Sequence, residues 1–296
     1  MQLSDNARGA VYMMVAMAAF TLNDTAMKAL TQDIPLFQAI AMRGALMLAG
    51  LIVLARLMGQ WKPVVPRRDG VIIGVRCVAE IVSTMLFLAA LMHMPLANLS
   101  AIMQALPLAV TLAAAVVFKD KIGWRRMTAI LIGFVGVLII IRPGQDGFDV
   151  WSLMGLVSVA FVVVRDLTTR SVSRAVPSVM VAVWASVAVT VASGLASLTG
   201  GWQPLTMGQG GLVVAASMAL VVGYLFAVMV MRVGDISFVA PFRYTALIWA
   251  IFLGWLVFGS LPDPLTLLGA ALVVATGIFT LWRERKVKAR PAPPTL

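Results

Sequence analysis

Acidic residues are scarce in this chain. Only 12 Asp and Glu stand among 296 residues, and all charged residues together make up 12%. With 61% of residues hydrophobic, too little polar surface remains to cover a water-soluble globule, which excludes a soluble domain. The one cysteine, Cys77, excludes an intrachain disulfide. The one histidine, His93, excludes a histidine-built metal centre, so no metal site is expected. The chain has no phosphate loop, nucleophile elbow or metal-spaced ligand set, so neither an enzyme nor a cofactor is expected.

What the chain has instead is ten apolar stretches, at about 9–29, 36–57, 70–92, 96–118, 124–141, 150–167, 177–198, 210–231, 236–258 and 264–282. Each is near the roughly 20 residues needed to cross a bilayer. A lipid-exposed backbone must satisfy its own hydrogen bonds, so these stretches are helices. The fold class is an all-α integral membrane protein with ten transmembrane helices. The connections are too short to hold a separate catalytic domain.

The ten stretches fall into two sets of five that repeat one another. Asp24, Lys28 and Pro35 return as Asp166, Arg170 and Pro177, shifted by 142. Gly59, Trp61 and Pro63 return as Gly200, Trp202 and Pro204, and Phe118 returns as Phe258. An odd number of spans per copy makes the second copy enter the membrane from the opposite side, the arrangement of an alternating-access transporter. The expected organisation is residues 1–142 as the first repeat, 143–284 as its inverted copy, and 285–296 as a basic, Pro-rich cytoplasmic tail.

The net charge of +11 is distributed for a membrane rather than for nucleic acid. With both termini cytoplasmic, 18 of the 23 Lys and Arg fall on cytoplasmic segments or helix ends, Arg165 and Arg170 among them. Lys28 and Arg142 fall outside, while Arg43, Arg76 and Arg243 fall within spans. The basic tail reads as a topology anchor touching anionic lipid. A cleavable signal peptide is not expected, because the repeat needs the first span retained.

Helical spacing gathers the polar residues into faces. Arg76, Glu80, Ser83 and Phe87 form one stripe in the third span, with Thr84 beside it. Its counterpart in the eighth span is Ser217, Val221, Tyr224 and Val228. Ser100, Gln104, Pro107 and Thr111 line up in the fourth span, answered in the ninth by Ala240, Tyr244, Leu247 and Ile251. Spans five and ten carry no internal charge and read as peripheral or dimer-forming helices.

Intramembrane charge must be paired or wetted, so Arg43, Arg76 and Glu80 mark an interior or a water-filled cavity. Arg76 and Glu80 also suit a self-neutralising i, i+4 pair, and both readings stand. Arg43 should find Glu80 or Asp24 across helices. Asp24–Lys28 and Asp166–Arg170 suit helix-end ion pairs, with a gating role open for Asp24. Arg243 is expected to snorkel to the cytoplasmic surface. Pro107 marks a bend or a static kink. The candidate substrate-binding residues are thus Arg43, Arg76, Glu80, Ser83, Gln104, Tyr224, Tyr244 and Trp249. Asp24, Glu80 and Pro107 are candidates for coupling or gating.

Phe118-Lys119-Asp120-Lys121 followed by Gly133-Phe134-Val135-Gly136-Val137 resembles the drug/metabolite transporter superfamily, in particular its ten-helix exporters with two EamA-type repeats. Phe258-Gly259-Ser260 leading to Gly269 and Gly277 repeats the pattern, but with Ser260 where an acid is usual. The resemblance implies a cavity enclosed by spans one to four and six to nine, with spans five and ten outside. It also implies a small-molecule substrate. The reading of spans five and ten leaves a monomer or a homodimer through those helices. A cavity charged on one side and neutral on the other suits a zwitterion with an apolar side chain. The expected function is export of small amphipathic metabolites, foremost amino acids, including aromatic and hydrophobic ones, across an inner membrane. A multidrug or cationic-compound efflux protein and a non-transporting scaffold or sensor are the alternatives.

Overall fold

The structure, a computed structural model, describes residues 4–62, 64–119, 123–142, 149–173, 175–230, 233 and 236–288. Pro63, Asp120, Lys121, Arg174, Arg232 and the tail from 289 lie outside the described residues. All regular secondary structure among the described residues is helical. The helices are α1 (Asp5–Leu30), α2 (Leu36–Leu57), α3 (Arg67–His93), α4 (Leu96–Met103), α5 (Leu106–Phe118) and α6 (Trp124–Ile141). They continue as α7 (Val150–Ser171), α8 (Ser178–Ser197), α9 (Met207–Val230), α10 (Ile236–Val239), a 3-10 helix (Ala240–Tyr244), α11 (Thr245–Phe258) and α12 (Pro264–Lys288). Ten of the resulting segments are long and apolar enough to cross a membrane.

Prolines set several starts. Pro35, Pro66, Pro95 and Pro177 occupy the cap positions of α2, α3, α4 and α8, where the lost N–H is not needed. Side chains cap two others. Ser4 accepts from the Ala7 amide at α1, and Asp149 accepts from the Trp151 amide at α7.

Two spans are broken, and at matching places. The fourth divides at Gln104–Ala105, with Pro107 seated in the first turn of α5, where its missing N–H costs nothing. The ninth passes from the short α10 through the 3-10 helix and turns α-helical again after Tyr244, 140 residues beyond Gln104. Both spans then end on a left-handed residue, Lys119 (φ 58°) and Gly259 (φ 64°), again 140 apart. The turn after the second span uses Gly59 (φ 64°), and the one after the seventh uses Gly201 (φ 69°). The structural twin of Gly59 is therefore Gly201, whereas sequence alignment alone favours Gly200. Glycine adopts such angles at no steric cost.

The helices pair across the two halves: α1 packs on α9, α3 on α7, α2 on α8, and α6 on α12. Exchanging the halves turns the α1–α9 pair into α7–α3 and leaves the other two unchanged. α6 and α12 meet at Gly136 and Gly269. A Cβ on either would lie 2.7 or 2.6 Å from the other's carbonyl oxygen, so the glycines permit backbone contact. The small faces of spans five and ten are thus buried against each other within one chain. Their outer faces still expose Leu131, Val135, Leu268 and Ile278.

Contacts between segments collect at two ends of the bundle. At one end Lys28 Nζ donates to the carbonyls of Leu91 (2.6 Å) and Met94 (2.8 Å). There Gln38 pairs twice with the Gln203 backbone, and Arg142 forms an ion pair with Asp263. At the other end Asp69 accepts from the Ser173 hydroxyl and amide, and Arg170 lies over the Phe118 ring. Gln38 and Gly59 bracket α2, whose 22 residues span about 33 Å. The loops that follow the second and seventh spans therefore lie at opposite ends.

Candidate functional site

A partly open cavity of about 230 Å³ lies between the halves. The uninterrupted helix α3 supplies Arg76, Glu80, Ser83, Thr84 and Phe87, the whole stripe read from the sequence. Asp24 enters from α1, Arg43 from α2 and Tyr224 from α9. The facing wall carries no charge: Ala182, Ala185 and Val189 of α8 and Leu220 of α9 are apolar, and the hydroxyls of Ser186 and Thr190 lie among them. Charge thus sits on the α1–α2–α3–α7 side and is absent from the α8–α9 side.

Glu80 is the hub of the charged side. It lies 3.3 Å from Arg76, one helical turn away, and 3.3 Å from Arg165 on α7. Arg165 also holds Asp166 at 2.9 Å. The pair within α3 therefore exists, but it is one edge of a network that joins both halves. Arg165 lines the cavity rather than serving only as a helix-end cation. The signal available in the sequence is its repeat partner: Asn23, on the opposite half, lies 142 residues earlier.

The helix-end pairs resolve differently from expectation. Asp24 accepts from Asn23 (2.9 Å), and Asn23 in turn accepts from Arg43 (3.4 Å). Lys28 is taken by the Leu91 and Met94 carbonyls, because the end of α3 presents unsatisfied acceptors to it. Asp166 pairs with its neighbour Arg165. Arg43 reaches Asp24 through Asn23, and its Nε has no hydrogen-bond partner.

Three expected residues stand apart from the cavity. Gln104 is buried at the break of the fourth span, and Met103 lines the cavity in its place. Tyr244 is buried with its hydroxyl against Gly277 of α12. Trp249 is 37% exposed on the outer face of α11, edge-on to Phe252. Pro107 starts α5 and Arg243 lies in the 3-10 helix, both off the cavity. In the ninth span the cause is the 3-10 segment. A helical wheel advances 100° per residue, but a 3-10 helix advances about 120°, so five such residues rotate the following face by about 100°.

A second cavity, about 530 Å³, opens at the end carrying the Gly59–Lys62 turn and is bordered by Thr169, Ser173 and Ser178. The Arg76 Nε donates to Thr169 Oγ1 at 2.8 Å. That single hydrogen bond lies between the two hollows. Among the described residues no cluster of three His, Cys, Asp or Glu could hold a metal ion.

Such a partly charged hollow inside a ten-span bundle can bind a small polar molecule between two halves, and the chain as a whole is similar to known proteins. Residues 7–142 match the EamA-like transporter family. The riboflavin transporter of Rhizobium johnstonii is 27% identical over 206 residues, 70% of this chain and 68% of that protein. The pseudopaline exporter CntI of Pseudomonas aeruginosa is 24% identical over 288 residues, 94% of this chain and 97% of its own. A solved crystal structure superposes on 95% of this chain and 99% of its own with a TM-score of 0.65 at 19% identity, which shows a shared fold. The family and these relatives are transporters, not enzymes. The chain is therefore a multi-pass membrane transporter of small molecules, similar over residues 7–142 to the EamA-like transporter family.

Proposed function

We propose that this protein exports small amphipathic metabolites, foremost amino acids, across an inner membrane by alternating access of two inverted repeats, with both termini cytoplasmic. The observation that carries the reading is the two-sided cavity, with Arg43, Arg76, Glu80 and Arg165 across from Ala182, Val189 and Leu220. A zwitterion needs charges of both signs, and an apolar side chain needs the neutral wall. The volume, about 230 Å³, corresponds to roughly eight waters, the size of an amino acid rather than of a drug-sized ligand.

The inverted arrangement is supported by the exchange symmetry of the helix pairs and by the matched breaks at Gln104 and Tyr244. The cytoplasmic end is then the one bearing Arg56, Lys62, Arg67, Arg68, Arg125 and Arg126. There the Arg76–Thr169 hydrogen bond separates the central hollow from the larger vestibule and acts as a thin inner gate. The near full-length match to a protein named as an exporter supports the direction.

Purified protein in liposomes, offered labelled amino acids, riboflavin and lipophilic cations in parallel, tests the proposal. Counterflow of amino acids is expected. Transport of the cations alone would establish the efflux reading, and transport of nothing would favour a scaffold.

A further inference from the structure

We propose that Ser186 and Thr190 of α8, together with Arg43 and Arg76, form the subsite that binds a carboxylate on the substrate. This deepens the function proposed above and rests on it for the identity of the substrate.

The hydroxyls stand out by what they do not do. A Ser or Thr in a membrane helix ordinarily donates to the carbonyl four residues earlier. Thr25, Thr111, Ser217, Thr276 and Thr280 all do so here, at 2.7–2.8 Å. On α8 itself, Ser193 donates to the Val189 carbonyl at 2.7 Å. Ser186 Oγ and Thr190 Oγ1 are buried and hydrogen-bond to nothing in the protein. They are four residues apart, hence on one helix face, and both line the central cavity.

Two further orphans line the same hollow. Arg43 Nε and Arg76 Nη1 are buried without partners, on residues that are each 7% exposed. Thr190 Oγ1 sits against Gly44, the residue that follows Arg43, at a point where α2 has no Cβ to push it away. Buried polar atoms are paired in folded proteins, and an unmatched set around one hollow marks the place of a ligand. All four can donate hydrogen bonds: two are guanidinium N–H groups and two are hydroxyls. A group that accepts several hydrogen bonds and carries negative charge, an oxyanion, satisfies such a set. The arrangement also assigns the site to both halves, with guanidinium donors from α2 and α3 and hydroxyls from α8.

The test compares wild type with Ser186→Ala, Thr190→Val and the double variant, reconstituted in liposomes. For amino acids the double variant should raise KM about tenfold with the maximal rate retained. Wild type should prefer amino acids over their carboxamides, and the double variant should lose that preference. Ser186→Thr and Thr190→Ser should keep it. An unchanged KM and an unchanged acid-over-amide preference in the double variant would overturn the subsite while leaving amino-acid export intact. If wild type moves no amino acid, export falls, and thermal stabilisation in detergent judges the subsite separately. The probes are phenylacetate, phenylacetamide and phenyl phosphate. Stabilisation by phenylacetate that the double variant loses upholds the subsite. No stabilisation of wild type by phenylacetate, or a preference for the phosphate ester, overturns it. If the double variant does not purify as a folded protein, the two single variants carry the same comparisons.

Discussion

Glu80 shows how one carboxylate in an apolar bundle is made tolerable. It faces Arg76 and Arg165 at equal distance, so neither guanidinium is left alone and the α3–α7 seam carries a closed charge network. Removing one partner from such a network leaves an uncompensated charge, which costs more than the network itself contributes. We expect Glu80→Gln to destabilise the protein by about 2 kcal/mol, read as a fall in the thermal midpoint in detergent. Adding Arg76→Gln should recover most of that loss, because Arg165 keeps Asp166. A double variant no better than the single one would show that charge pairing is not what Glu80 provides. The α3 stripe was legible in the sequence because α3 is a regular helix of 27 residues, so the wheel holds from Arg76 to Phe87. Ser186 and Thr190 were not legible, and Arg165 was marked only by its repeat partner Asn23. Which face of α7 or α8 turns inward depends on partners in the other half, and spacing within one helix carries no record of them.

At the scale of the element, boundaries and breaks obey different rules. The ten spans were readable because apolar length alone determines them, whereas the break at Ala240–Tyr244 was not, and with it went the placement of Tyr244 and Trp249. α12 offers a clean test of how its start is held. Asp263 accepts from the amides of Leu265 (3.0 Å) and Thr266 (3.1 Å) and from the Thr266 hydroxyl, and it pairs with Arg142 from the other half. Partial burial works to raise its pKa. The Thr266 hydrogen bonds and Arg142 outweigh that and hold it below the ordinary carboxylate value. A carboxylate depressed in this way stabilises the fold fully above the unfolded-state value of about 4, and the contribution fades as pH falls through the native value. Asp263→Ala should therefore cost about 1 kcal/mol at neutral pH, and Asp263→Asn, which keeps an accepting oxygen, should cost less. The gap between wild type and Asp263→Ala should close below about pH 4. Thermal melts across that range measure it, and a gap independent of pH would assign the loss to packing instead.

For the molecule as a whole, the proposed transport requires the two halves to run in opposite directions through the bilayer. Trp61 and Trp202 lie in the turns after the second and seventh spans, equivalent places in the proposed repeat, and both are exposed. Gly59, two residues from Trp61, borders the vestibule at one end, while Gln203, beside Trp202, is tied to Gln38 at the other. If the bundle lies with its basic end inward, Trp61 is cytoplasmic and Trp202 external. In a Cys77→Ser background, so that the half-buried native thiol does not report, Trp61→Cys and Trp202→Cys can be treated with a membrane-impermeant maleimide in intact cells. Only Trp202→Cys should react, and Trp61→Cys should follow once the membrane is opened. The reverse order would invert the topology and make the vestibule the external mouth, turning the Arg76–Thr169 bond into an outer gate. Labelling of both from one side would leave the halves parallel. A cavity between parallel halves could not be presented to the two faces of the membrane by exchanging equivalent conformations, and alternating access would lose its structural basis.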